Sequence, residues 1–142
     1  MIPPDKKKKG PRPGAGFILV KSGKTKKILA LINHDRTYDL PKGTLDKKDS
    51  SFLSCAKREC FEECSIKVKD KDIIKSIPII SSGKLVVFTA WTSQKPKITK
   101  NPHTQIFEHA GWEWVSTDQF KKNTSKFLAD AVSQIENYMF LI

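Results

Sequence analysis

Residues 51–64 carry the only strong helical pattern in the first half of the chain, and its two-sided character restricts what the rest can build. At about 100° per residue, Leu53, Ala56, Cys60, Phe61 and Cys64 share one side, while Arg58, Glu59, Glu62 and Glu63 share the other. The helix therefore has an apolar back and an acidic front, with Ser50 or Ser51 available as its N-cap. Around it lie β-rich runs. Residues 16–20 and 27–32 read as a hairpin joined by the polar turn Ser22-Gly23-Lys24, and residues 38–40 as a short third strand that Pro41-Lys42-Gly43 breaks. Further strands fit residues 73–80, 84–92 and 111–115. Ser116 or Thr117 then caps a last helical region holding Phe120, Phe127, Leu128, Ala131, Val132 and Ile135. Strands before, between and after two helices predict the α+β class, a mixed β-sheet with helices packed against it.

Glu59, Glu62 and Glu63 stand at i, i+3 and i+4, which places three carboxylates on one helical face. Like charges this close repel unless a cation compensates for them. Hard oxygen donors suit Mg2+ or Mn2+, which keep water and phosphate oxygens in their shell beside one or two protein carboxylates. A solvated acidic helix face explains the same three residues without any metal.

The stretch from Gly43 through Asp49 to Arg58-Glu-Cys-Phe-Glu-Glu-Cys-Ser-Ile66 separates these readings, because it resembles the Nudix box. That family pattern is Gly, five residues, Glu, seven residues, then Arg-Glu-hydrophobic-any-Glu-Glu-any-Gly-hydrophobic, arranged as loop, helix and loop. Gly43, Arg58, Glu59, Cys60, Glu62, Glu63 and Ile66 fall in register with it. Three positions depart from it. Asp49 replaces the first Glu, one extra residue separates it from Arg58, and Ser65 stands where Gly is usual, at a cost of about 1 kcal/mol if its φ is positive.

The resemblance implies an α/β/α sandwich and a metal-dependent phosphoanhydride hydrolase in which Glu59, Glu62 and Glu63 bind Mg2+ or Mn2+ and Gly43 joins the metal site. It implies that Arg58 pairs with an acidic residue and holds the loop in shape. Phe107-Glu108-His109 followed by Trp112-Glu113-Trp114 is similar to a segment that in relatives carries the general base. Glu108 is the candidate for that role, or for an additional metal ligand, with His109 and Glu113 behind it. Leu40-Pro41-Lys42-Gly43 resembles the branch holding diadenosine tetraphosphate hydrolases, diphosphoinositol polyphosphate phosphohydrolases and the decapping catalytic domain. In that branch Lys42 would contact phosphate, and Tyr38 and Trp112 would contact the rest of the substrate. Among Phe17, Tyr38, Phe88, Trp91, Phe107 and Trp112, any could stack on a base, and nothing in the sequence ranks them. A cap hydrolase remains a second reading, as does a non-catalytic module that binds RNA or nucleotide.

At 142 residues the chain suits one domain, expected over residues 15–142 after a flexible basic Pro/Lys-rich tail over 1–14. A formal net charge of +11 favours anionic partners, a polyphosphorylated small molecule or RNA. The basic excess is mostly Lys, with only Arg12, Arg36 and Arg58 to offer a fork, so a dedicated nucleic-acid surface is not required. Lys6 to Lys9 read as a solvated tail, a phosphate-attracting arm or a nuclear signal. Cys55, Cys60 and Cys64, an odd number crowded into ten residues and followed by no Cys or His at zinc-finger spacing, read as reduced thiols. With no signal-like start and no apolar run of about 20 residues, the expectation is a cytoplasmic, or nuclear, protein with no membrane contact.

Overall fold

The computed structural model describes residues 12–142. Its centre is β1 (Gly14–Lys21), every residue of which is buried except the last. A strand apolar on both faces must be covered on both. Here β1 pairs in parallel with β6 (Leu85–Thr92) along its whole length, from Gly14 opposite Leu85 to Lys21 opposite Thr92. Alternation along β1 then sorts two cores. Ile18 and Val20 join Ile28, Phe120, Leu128 and Ile135 on one face, while Phe17 and Leu19 join Leu29, Leu31, Cys55 and Cys60 on the other.

The remaining strands extend this pair into one mixed sheet. β2 (Ile28–Ile32) joins β1 at Val20–Ile28 and runs antiparallel to both β3 (Tyr38–Asp39) and β7 (Gly111–Val115). β4 (Lys42–Thr44) pairs with the start of β1, and β5 (Ile80–Ser82) with β6. Helix α1 (Phe52–Cys64) covers one face, and α2 (Thr117–Lys122) and α3 (Lys126–Glu136) cover the other. This is the expected α/β/α sandwich. No helix among the described residues is long and apolar enough to cross a membrane.

Helix α1 begins where the sequence places it. Ser51 caps it by accepting a hydrogen bond from Ser54 N at 3.0 Å. Its buried residues are Cys55, Ala56, Cys60 and Cys64, all small, and they let the helix lie close on β1. Phe61 departs from the expectation: it is 55% exposed, because one residue beyond Cys60 carries it to the flank of the helix. All three thiols are free.

Other departures have local causes. Pro41-Lys42-Gly43 does not end the pairing; Lys42–Thr44 forms β4 because Gly14 and Gly16 let it come close. A Cβ on Gly14 would lie 2.4 Å from the Gly43 carbonyl oxygen, and one on Gly16 2.5 Å from Lys42 Cβ. Residues 73–80 are not a strand. Ile73 makes a single bridge to Ala90, the Ile77 amide turns back to Ile74 O at 3.2 Å, and Pro78 has no amide to donate, so only Ile80 enters β5. The final helical region is two helices, divided at Asn123, whose amide closes α2 on Phe120 O. Of the tail expected over 1–14, residues 1–11 lie outside the described residues. Gly14 already belongs to β1, and Pro13 O accepts a hydrogen bond from Leu45 N at 3.0 Å.

Candidate active site

The acidic front of α1 opens onto a cleft of about 740 Å³ whose wall includes Glu59, Glu62, Glu63, Glu108, Lys42 and Gly43. With Arg58, which lines it too, seven of the expected site residues thus come together there, drawn from α1, β4 and the loop before β7.

Arg58 organises the cleft's edge. Its Nε and Nη2 donate to the two oxygens of Asp49 at 2.9 and 2.8 Å, and Nη2 also reaches Thr44 O at 3.1 Å. Nη1 reaches Glu59 at 3.1 Å and Glu62 at 3.3 Å. The side chain of Asp49 is only 3% exposed, and Arg58's fork holds its carboxyl down to about 2. Asp49, shorter than Glu and displaced by one residue, therefore serves as the acidic partner that the resemblance asks for. One guanidinium ties the loop over residues 44–49 to the helix that bears the glutamates.

Gly43 is required by the same packing. A Cβ there would lie 2.0 Å from Glu59 Cδ and 2.1 and 2.3 Å from its oxygens. Gly43, expected at the metal site, lines the cleft, and its carbonyl takes a weak contact from Cys55 Sγ at 3.7 Å. Glu63 stands deeper, its Oε1 accepting from the Lys42 amide at 3.0 Å. Loss of solvent, with Asp39, Glu108 and Glu59 nearby, pushes its carboxyl up to about 10 against the pull of that amide. Burial likewise raises Glu59, beyond what Arg58 can offset. Glu108 is exposed beside Glu63, and Asn101 Nδ2 donates to it at 3.0 Å.

Asp39 was not singled out by the sequence, yet it binds the cleft together. It accepts from His109 Nε2 at 2.9 Å and pairs with Lys42 Nζ at 3.1 Å. Burial would raise its carboxyl, but the His109 hydrogen bond and the Lys42 charge bring it below its ordinary value. His109 is thus committed to Asp39. The only signal for this pair was the Asp-Leu-Pro-Lys run, which says nothing of His109, 70 residues away.

Other candidates lie elsewhere. Tyr38, expected to touch substrate, belongs to the core: its ring stacks on Phe120 with centroids 5.9 Å apart, and its hydroxyl bonds Glu113 and Gln119. Glu113 is occupied by that contact and does not line the cleft. Trp112 meets Trp114 edge-on at 6.4 Å and packs on the α1-side core, also away from the cleft wall. Phe17 and Phe88 pack on each other, Trp91 lies against the opposite core, and Phe107 sits under Lys100.

Among the described residues, no three acidic, His or Cys side chains converge into a preformed metal cage. The donor set nonetheless fits a hard dication. Glu59 and Glu63, raised first by burial and then by neighbouring carboxylates, stand with Glu62 and Glu108 as oxygen donors lacking enough positive charge of their own.

The NUDIX domain family model matches residues 10–135. Among solved structures, the C. elegans Ap4A hydrolase binary complex aligns with a TM-score of 0.68 at 14% identity, over 92% of this chain and 99% of that one. MutT protein from Methanosarcina mazei Go1 aligns with a TM-score of 0.66 at 17% identity, over 89% and 95%. The NUDIX domain of Shewanella oneidensis NrtR, solved with ADP ribose, aligns with a TM-score of 0.67 at 18% identity, over 99% and 93%. No curated protein matches by sequence. At these identities the structural likenesses establish the fold.

Proposed function

This chain belongs to the Nudix family of phosphoanhydride hydrolases, and from that premise we propose that it cleaves a dinucleoside polyphosphate of the diadenosine tetraphosphate type or a diphosphoinositol polyphosphate. The observation that carries this reading is the meeting of an acidic floor and a basic rim in one cleft, with Glu59, Glu62 and Glu63 below and Lys42 beside them. Nudix hydrolases generally use divalent ions, and Glu59, Glu62 and Glu63 would hold Mg2+ or Mn2+ here. Held there, such an ion would supply Lewis acidity, making a water more acidic and offsetting phosphate charge.

The chain's own residues do the rest. Glu108, fixed by Asn101 and open to solvent, takes the proton of the attacking water. Lys42 presents its ammonium to a phosphate while Asp39 keeps the side chain from swinging away. Arg58 touches no substrate; it sets the distance between the loop and the glutamates.

The test is hydrolysis of diadenosine tetraphosphate, a diphosphoinositol polyphosphate and a capped RNA, with and without Mg2+ or Mn2+, by wild type and Glu63→Gln. Metal-dependent release from either of the first two, lost in the variant, is the expected result. Cleavage of capped RNA alone would move the assignment to decapping. RNA retention at moderate salt with no hydrolysis would make the chain a binding module.

A further inference from the structure

A second hollow of about 280 Å³ adjoins the acidic cleft. Arg12, Lys42, Gly43 and Thr44 line both, so these residues form a shared ridge rather than a barrier between unrelated sites. Beyond the ridge the chemistry reverses. The acidic cleft is walled by carboxylates, whereas among the described residues no Asp or Glu lines the second hollow, whose lining includes Lys84, Leu85 and Phe127.

Phe127 is the informative residue. Its neighbour Leu128 is buried in the core, yet Phe127, one residue before it in the first turn of α3, keeps 43% of its surface exposed. Its backbone is fixed, because Ser82 Oγ donates to Phe127 O at 2.8 Å and so ties α3 to the end of β5. Phe127 also helps line a smaller recess beside Asp39 and Lys42, which places it along the margin of the acidic cleft. Gly83, at φ 60°, turns the β5–β6 loop with nothing within 4 Å of a Cβ built on it, so that edge of the hollow is open.

We propose that this hollow is a base subsite: an uncharged nucleobase lies on Phe127 while its phosphates cross the ridge between Arg12 and Lys42 into the acidic cleft. The inference rests on the hydrolase reading and sharpens it. A volume just under the ~300–1,000 Å³ usual for whole small-molecule sites suits one flat ring system and not an entire dinucleotide. Aromatic stacking rewards a base and gives nothing to an inositol ring, which has no π-face, so nucleoside polyphosphates are preferred over diphosphoinositols. Lys84 and Arg12 also set a sign. They attract phosphate but repel a cationic base, so the 7-methylguanine of an RNA cap is disfavoured against plain guanine.

Calorimetric titration of the full chain with ATP and with inorganic tripolyphosphate, without added divalent ion so that neither turns over, isolates the base. ATP should bind about ten-fold more tightly, the ratio that about 1.4 kcal/mol of stacking produces. Phe127→Ala should bring that ratio close to one and Phe127→Tyr should restore it. GTP should bind more tightly than 7-methyl-GTP, and Lys84→Glu should weaken ATP and tripolyphosphate alike. Equal binding of ATP and tripolyphosphate by wild type, no ATP binding at all, or a ratio that survives Phe127→Ala would overturn the subsite. If that ratio behaves as expected while no polyphosphate is hydrolysed with metal, the hydrolase reading fails and the subsite stands. If diadenosine tetraphosphate is hydrolysed but the ratio is absent, the reverse holds.

Discussion

Replacing Asp49 with Asn tests whether an acidic residue out of its usual place still anchors the loop. The Asp49 side chain is 3% exposed and accepts both bonds of the Arg58 fork, and its carboxyl is lowered from 3.8 to about 2. A shift of that size corresponds to about 2.4 kcal/mol at neutral pH. Arg58 is a quarter exposed, and solvent screening brings the figure to about 1.5–2 kcal/mol. Because the folded value is depressed, the contribution is fully present above about pH 4 and is lost as pH falls toward 2. Urea unfolding of wild type and Asp49→Asn at pH 7, 5 and 3 reads it directly. The gap should be about 1.5–2 kcal/mol at pH 7 and 5 and roughly half that at pH 3. A gap of the same size at pH 3 and pH 7 would mean that shape, not charge, holds the pair. No gap at all would mean that Arg58 is held by Thr44, Glu59 and Glu62 without it.

Glu63→Gln should cut metal-dependent turnover by about 100-fold or more while raising the melting temperature of the metal-free chain, since it removes a carboxyl that burial forces to take up a proton on folding; a fall in both would mark Glu63 as a structural residue. Gly43→Ala should damage function to a similar degree and change stability little. The added methyl displaces Glu59 from a contact of about 2 Å, and kcat should fall by about 100-fold with a small change in melting temperature. Ser65 closes α1 with φ 61° and ψ 18°, so Ser65→Gly should stabilise the chain by about 0.5–1 kcal/mol in chemical denaturation and leave turnover as it is. A destabilised glycine variant would mean that Ser65 makes a compensating contact in solution.

What the sequence made legible follows from how far each feature reaches along the chain. Helix α1, its Ser51 cap, the left-handed Ser65 and the convergence of Glu59, Glu62 and Glu63 are all decided within 15 residues, where periodicity and backbone preference act directly. The strand at 73–80 and the break at Pro41 failed for the opposite reason. A run of isoleucines reads as a strand until Pro78 and a turn interrupt it, and Lys42–Thr44 becomes a strand only because two glycines of β1 make room for it. The aromatic candidates show the limit most clearly. Tyr38, just before the motif, and Trp112, just after Glu108, point into packing, whereas Phe127 was counted with the core residues of its helix and remains open beside the cleft. Which face of a strand or helix turn becomes a wall of the cleft depends on the parallel pairing of β1 with β6 and on Ser82 tying α3 to the sheet, contacts that span tens of residues. The α1 glutamates are therefore placed locally, whereas Glu108, the Asp39–His109 pair and the Phe127 hollow are placed by topology, so variation at Phe127 and Lys84 should alter which polyphosphate is taken while loss of the α1 glutamates should abolish cleavage of any.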